Sequence, residues 1–88
     1  MSGKIAIILS GCGVYDGSDA HEVSAALVAV SRAGYQPMCF APNKPQFCEI
    51  DHVSGETFGE TSRNCLVEAA RISWGKIRDI EVKSLNTK

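Results

Sequence analysis

The first pattern in the chain is an uninterrupted apolar run. Every position from Ile5 to Leu9 is apolar, which is typical of a parallel strand covered on both faces. Ser10 and Gly11 end this run, and the glycine-rich stretch from Gly11 to Ser18 predicts a loop. Open α/β sheets bind ligands at loops that follow the carboxyl ends of strands. This loop is therefore the first candidate binding segment.

A helix is predicted directly after the loop. Its apolar residues recur at i, i+3, i+4 and i+7, the spacing of one helix face, at Val23, Ala26, Leu27 and Val30. Asp19 is the expected N-cap, and Glu22 stands three residues later, at the capping-box position. Gly34 is expected to stop the helix near Arg32.

A second strand is predicted from Tyr35 to Ala41, and Pro42 closes it. Pro37 has no N–H to donate, which favours an edge strand or the first residues of a strand. The strand, helix and strand together form a unit whose short connections favour a right-handed crossover. The pattern therefore predicts an α/β fold with a parallel sheet.

The second half of the chain gives weaker signals. Residues 43–46 predict a turn, and Phe47 to Val53 is compatible with a short strand or an extended segment. Thr61 or Ser62 is expected to cap a second helix that runs to about Ser73. Its expected inner face consists of Leu66, Ala69, Ala70 and Ser73.

The end of that helix and the residues after it are harder to interpret. Gly75 is expected to stop the helix, and Trp74 beside it is expected to cover the edge of the core. From Lys76 onwards the apolar residues, Val82 and Leu85 among them, are scattered between charges. No third strong strand is expected there.

Composition narrows the function classes. The 88 residues carry a formal net charge of -1 and no cluster of Lys and Arg, so neither nucleic acid nor a membrane surface is an expected partner. No targeting presequence is visible. The four cysteines form no CxxC pair and are interpreted as free thiols, and neither a metal nor a cofactor is expected.

Several short blocks, in order along the chain, together suggest a family. They are Ile7–Ser18, His21–Glu22, Ser31–Gly34, Cys39–Pro42, Ile50–His52, Ser62–Asn64 and Glu68–Ile72. This combination resembles the opening of the ElbB-type proteins, in the ThiJ/PfpI branch of the class I glutamine-amidotransferase-like superfamily. Animal members of this group are mitochondrial. The resemblance implies a mitochondrial location for an animal protein and a cytoplasmic one otherwise.

The resemblance also implies a fold and an activity. The expected fold is a partial flavodoxin-like parallel sheet with flanking helices, in which residues 1–88 form the amino-terminal part of one domain. Bacterial relatives are glyoxalase-like and act on small reactive carbonyls through a cysteine in their later half. Their Gly-Gly-Phe-Gly loop and cysteine elbow have no counterpart here. This chain alone is therefore expected to be a truncated, inactive form, and whether it belongs to an enzyme stays open.

The resemblance supplies one candidate site residue, and the position of the loop and the helix start supplies the others. Glu22 matches the family's carboxylate beside the catalytic cysteine, and a role in the capping box is compatible with this one. The pocket is expected to include Gly11, Cys12, Gly13, Asp16 and His21. Cys12 could instead be a nucleophile, but a nucleophile elbow leads straight into its helix and this loop does not.

Two other function classes remain open. The glycines at 11, 13 and 17 have the spacing GxGxxxG rather than GxGxxG, which disfavours but does not remove a nucleotide-binding loop. The second class is a non-enzymatic interaction or regulatory module that pairs through an exposed sheet edge, with a homo-oligomer as one form.

Overall fold

The computed structural model describes residues 3–58 and 62–80. Five strands and two helices lie in this part of the chain. In chain order they are β1 (Lys4–Ile8), α1 (Ala20–Arg32), β2 (Gln36–Ala41), β3 (Glu49–Ile50), β4 (Thr57–Phe58), α2 (Cys65–Ser73) and β5 (Ile77–Asp79).

Three of these strands form one parallel sheet in the order β1-β2-β5. Ile5 of β1 lies opposite Pro37 of β2, and Ile7 lies opposite Cys39. The expected parallel α/β arrangement is confirmed. The expectation that no third strand follows α2 is wrong, because β5 pairs with β2 in parallel. Its three residues include only one apolar side chain, Ile77, so hydrophobic pattern alone does not reveal it.

Pro37 lies in the central strand of this sheet rather than at an edge. It is the second residue of β2, and β5 pairs only with residues from Cys39 to Ala41. The proline therefore precedes the stretch where both sides of β2 are hydrogen-bonded. This is the other position that proline tolerates in a sheet, at the start of a strand.

The core lies between the sheet and the two helices. Both helices pack on β2 and contact each other, so they cover the same face of the sheet. The buried cluster and the half-buried side chains around it are Leu9, Cys39, Ala41 and Ala69 with Ile7, Val23, Leu27, Leu66 and Ile77. Successive side chains of a strand point to opposite faces. Ile8, between Ile7 and Leu9, accordingly points away from the helices and is 59% exposed.

Helix α1 begins and ends where the sequence predicts. The Asp19 carboxylate accepts a hydrogen bond from the N–H of His21 at 3.1 Å and so caps the helix. The last helical residue is Arg32. Gly34 follows with φ of 91°, a left-handed conformation that glycine adopts without steric cost.

Helix α2 begins later than expected. Asn64 is its N-cap, and its Oδ1 accepts hydrogen bonds from the N–H groups of Leu66 at 2.8 Å and Val67 at 3.0 Å. Ser62 is therefore not the cap, and Thr61 lies outside the described residues. Residues 63–65 instead hydrogen-bond to residues 44–46 through their backbones, which keeps the segment extended up to the cap.

Trp74 ends α2 in a left-handed conformation, with φ of 60° and ψ of 38°. Its side chain is 89% exposed, so the expectation that it covers the edge of the core is wrong. The expected inner face of α2 is confirmed, since Ala69 is buried and Leu66, Ala70 and Ser73 are half-buried.

Strands β3 and β4 form a small antiparallel hairpin, in which Glu49 pairs with Phe58. The short strand expected between Phe47 and Val53 is thus confirmed at its centre, and β4 adds a partner that the sequence did not predict. Val82 and Leu85 lie outside the described residues. Neither helix of the described part is long and apolar enough to cross a membrane.

Candidate functional site

Glu22 lies at an open groove at the carboxyl end of β1. The groove has a volume of about 510 Å³, and its walls come from the end of β1, the following loop and the first turns of α1. Glu22 shares it with Leu9, directly after the strand, and with Val14 of the loop. Its side chain is exposed. A carboxylate placed there is accessible to a molecule that enters the groove.

His21, next to Glu22 in the sequence, points elsewhere. Its side chain is fully exposed, and its Nδ1 lies 3.6 Å from the capping carboxylate of Asp19. His21 does not contribute to the walls of the groove. The structure therefore associates it with the helix cap rather than with Glu22.

Three other residues expected at the pocket line a second cavity of about 500 Å³. Cys12, Gly13 and Asp16 meet β3 and the turn after it there, with His52 and Arg63 on the opposite wall. The loop of residues 10–18 therefore separates two cavities. Val14, Gly17 and Ser18 line the Glu22 groove, whereas Cys12, Gly13 and Asp16 line the cavity on the other side.

A clamp of Asp16 and His52 joins this loop to the β3 region. Asp16 Oδ2 accepts a hydrogen bond of 2.6 Å from the N–H of Ile50. His52 Nε2 lies 3.1 Å from the backbone nitrogen of Tyr15, and its Nδ1 lies 2.8 Å from the carbonyl oxygen of Ile50. The rings of Tyr15 and His52 stack with 4.8 Å between their centroids. The loop is thus fixed by polar and aromatic contacts at once.

The base of the loop is closed by close backbone packing at two glycines. A Cβ on Gly17 would lie 2.7 Å from the carbonyl oxygen of Ser10 and 2.8 Å from the nitrogen of Cys12. Gly11, at φ of 70°, packs against the side-chain amide of the buried Gln46. At Gly17 only glycine permits this approach without moving the backbone, and at Gly11 the left-handed φ favours glycine. The glycines therefore shape the loop, and nothing in their packing requires a nucleotide.

Arg63 connects the hairpin to α2. Its Nε lies 2.8 Å from Glu49 Oε2, and one of its terminal nitrogens lies 3.6 Å from Glu68 Oε1. The pKa of Arg63 is raised mainly by Glu49, through the hydrogen bond between them and the negative charge of Glu49. Arg71 also bonds the buried Glu68, at 2.8 Å. This ion-pair network holds one wall of the second cavity in place.

All four cysteines are free, as expected. Cys39 and Cys65 are buried, whereas Cys12 and Cys48 are partly exposed. Burial raises the pKa of the Cys39 thiol, which keeps it protonated and unreactive. Among residues 3–58 and 62–80, no three His, Cys, Asp or Glu side chains are grouped to hold a metal ion.

The sequence predicts Glu22 at the start of the helix, but it does not predict the clamp. His52 belongs to one of the family blocks, but nothing near it in the sequence marks it as a contact of the loop after β1. A histidine 36 positions after Asp16 carries no local signal of contact. Only the fold, which brings the carboxyl end of β1 beside β3, joins them.

Comparison with known proteins supplies the family. The mitochondrial glutamine amidotransferase-like class 1 domain-containing protein 3 of Homo sapiens is 52% identical over 77 residues, which are 88% of this chain. The mitochondrial ES1 protein homolog of Rattus norvegicus matches equally well. This chain is homologous to the glutamine amidotransferase-like class 1 proteins. No family model matches it.

A solved structure extends the homology to three dimensions. The isoprenoid biosynthesis protein with an amidotransferase-like domain from Ehrlichia chaffeensis superposes with a TM-score of 0.83 at 40% identity. The match covers 94% of this chain and 39% of that protein. The expected amidotransferase-like, flavodoxin-like fold is therefore confirmed.

The chain spans only part of its relatives. It covers 29% of the length of the human and rat proteins. Both carry mitochondrial in their names, which confirms the expectation of a mitochondrial location for animal members of this amidotransferase-like group.

Proposed function

We propose that this chain supplies the carboxylate side of a site that acts on small reactive carbonyl compounds. The observation that carries the proposal is the position of Glu22, exposed in the groove beside the carboxyl end of β1. Open α/β sheets bind their substrates at this end of the strands. The attacking thiol belongs to the part of the relatives' length that this chain does not span.

The proposed chemistry uses Glu22 as a proton acceptor. As the thiol attacks the carbonyl carbon, its proton passes to the Glu22 carboxylate and the electron pair of the C=O bond moves to oxygen. The product of this step is a hemithioacetal alkoxide, and the proton on Glu22 then neutralises it. The apolar side chains of Ile8 and Val14 in the walls of the groove suit a short-chain substrate.

A fusion tests this role. The chain would be joined to the part of the Ehrlichia chaffeensis protein that it does not span, and turnover of methylglyoxal to lactate would be measured. Glu22→Gln is expected to lower kcat about a hundredfold or more, the usual worth of a general base. Glu56→Gln changes an exposed carboxylate outside the groove and is the matched control.

Two results would count against the proposal. One is equal activity in the Glu22→Gln and Glu56→Gln fusions, because Glu22 would then handle no proton. The other is cysteine-dependent turnover by the unfused chain, because its own thiols would then suffice.

A second candidate function rests on the edge of the sheet. Strand β1 pairs only with β2 among the described strands, and its side chains Ile5 and Ile8 are 37% and 59% exposed. Unpaired apolar edges favour association with another strand. In this alternative the chain is an interaction module that binds a second copy of itself.

Light scattering tests this alternative. Ile8→Lys should abolish a concentration-dependent increase in the measured mass. Val28→Lys, at an exposed site on α1, should leave association unchanged.

A further inference from the structure

One contact of the loop between the two cavities depends on the protonation state of His52. His52 Nδ1 lies 2.8 Å from a carbonyl oxygen, that of Ile50. A carbonyl only accepts, so Nδ1 must carry the proton. The other nitrogen, Nε2, is then free to accept from the N–H of Tyr15 at 3.1 Å. The clamp described above therefore requires the neutral imidazole in its Nδ1-protonated tautomer.

Protonation of His52 removes this acceptor. The added hydrogen on Nε2 would face the N–H of Tyr15, and two donors repel each other. The imidazolium has an alternative partner close by, because Asp16 Oδ1 lies 3.9 Å from Nε2. A shift of the ring towards Asp16 would form that ion pair and leave the Tyr15 N–H without its bond. The two states of the ring would thus differ in whether the Tyr15 N–H is bonded.

Several charged or titratable groups surround the ring. The loop contributes Asp16 and the Cys12 thiol, the β3 region contributes Glu49 and Asp51, and the segment before α2 contributes Arg63. Arg63 and Glu49 are bonded to each other. Among these groups, Asp16 forms the ion pair with the ring, with its Oδ1 3.9 Å from Nε2. The protonated ring therefore has a defined partner.

We propose that His52 is a positioning residue that holds Tyr15, in the loop of residues 10–18, in place only while its imidazole is neutral. The loop places Val14 and Gly17 in the wall of the Glu22 groove. Tyr15, held by His52, lies between these residues. Protonation of the ring in acid removes the hydrogen bond to Tyr15 and so loosens the wall beside it at Val14. The effect on catalysis rests on the proposed function, whereas the release of the loop does not.

The packing at Gly13 shows why the shift reaches the backbone. A Cβ there would overlap Asp16 Oδ1 and would lie 3.0 Å from both Cε1 and Nε2 of His52. The ring and the carboxylate thus lie directly against the main chain of the loop. A movement of the ring cannot be absorbed by empty space on that side.

Amide hydrogen exchange of the intact chain, followed by NMR, tests the proposal without any substrate. The protection factor of the Tyr15 N–H, corrected for intrinsic exchange, is expected to fall about threefold to tenfold from pH 7.5 to 5.5, the worth of one net hydrogen bond. The midpoint should equal that of the His52 ring signals. A Tyr15 protection factor that stays constant while the ring titrates would overturn the proposal.

Two variants separate the acceptor from the ring. His52→Gln places an uncharged amide oxygen near the position of Nε2, so Tyr15 should stay protected at both pH values. His52→Phe keeps an aromatic ring against Tyr15 but has no acceptor, so protection should be low at both. A fall in His52→Gln equal to that of the parent would assign the titration to another group and refute the role of His52.

The unmodified chain tests the proposal even if a variant does not fold. Equal midpoints for the Tyr15 protection factor and the His52 ring signals would support it, and different midpoints would contradict it. Glu22→Gln should leave the pH response unchanged. Loss of carbonyl chemistry in the fusion would therefore contradict the proposed function alone, and a flat Tyr15 profile would contradict the positioning role alone.

Discussion

The carboxylate of Asp16 accepts a 2.6 Å hydrogen bond from the backbone N–H of Ile50, 34 positions further along the chain. The Asp16 side chain is only 6% exposed. A charged acceptor on a backbone donor makes one of the stronger hydrogen bonds in proteins. This bond fixes the loop after β1 to the first residues of the hairpin.

Removal of the Asp16 carboxylate is expected to destabilise the protein. Asp16→Ala leaves the half-buried N–H of Ile50 without this partner, which should lower the free energy of unfolding by about 2 kcal/mol. Urea denaturation with an unchanged m-value measures the effect. Asp16→Asn keeps an acceptor oxygen and should lose less. Equal losses in both variants would contradict the role of this bond.

Gly17→Ala is expected to force the base of the loop apart. The new Cβ would meet two backbone atoms, the oxygen of Ser10 and the nitrogen of Cys12, at under 3.0 Å. Overpacking of this kind costs about 1 to 3 kcal/mol. Gly3→Ala is the control, because its Cβ would only reach ordinary contact, 3.4 Å, with the Tyr35 ring. A Gly17→Ala protein as stable as the control would show that the loop yields freely.

Trp74→Gly is expected to stabilise the protein. Tryptophan holds a left-handed conformation at the end of α2, which costs a residue with a Cβ about 1 to 2 kcal/mol. Its exposed side chain adds little packing. Part of the gain is lost to the greater freedom of unfolded glycine, so the net increase should be about 0.5 to 1 kcal/mol. Trp74→Ala keeps the strain and should show no gain in denaturation experiments.

The turn after β3 should weaken in acid. Hydrogen bonds from the N–H groups of Val53 and Ser54 hold the pKa of Asp51 below its ordinary value. A lowered pKa in the folded state means that the ionised carboxylate stabilises the turn. This stabilisation is complete above the unfolded pKa, about 3.9, and is lost as the pH falls through the lower folded pKa.

Amide exchange measures this loss at Val53 and Ser54. Their protection should be constant from pH 6 to about pH 4 and should fall below it. Asp51→Asn cannot ionise but keeps an acceptor oxygen, so its turn should show no such fall. A parallel fall in that variant would assign the acid effect to another group.

The first half of the fold could be predicted from sequence because its signals are local. The apolar run of β1, the spacing on α1 and the caps at Asp19 and Gly34 each lie within a few residues of the element that they define. The parallel pairing then follows from the short crossover. The groove beside Glu22 is a consequence of that topology.

The second half depends on contacts between distant segments. Strand β5 has little apolar pattern and forms because β2 offers it a hydrogen-bonding edge. Ser62 and Asn64 are both good caps by type. Asn64 is selected because the N–H of Cys65 bonds the carbonyl of Lys44 at 2.9 Å, which keeps the preceding segment extended. Such choices are tertiary and leave no mark in a single sequence window.

The clamp at His52 was missed for the same reason. Its partners, Tyr15 and Asp16, lie in a loop that composition marks only as flexible. The two cavities on either side of that loop were likewise expected to be one pocket. Which cavity a loop residue lines depends on the direction of its side chain. In an irregular, glycine-rich loop that direction follows no fixed period along the sequence.

The helices cover one face of the sheet and Ile8 marks the other. All-parallel sheets almost always have both faces covered, so an apolar face that the described residues leave open favours association with other apolar surfaces. Whether the chain stays monomeric then depends on its concentration and on which other polypeptides are present. A fluorescent dye that binds apolar surfaces should bind this face, and its emission should increase.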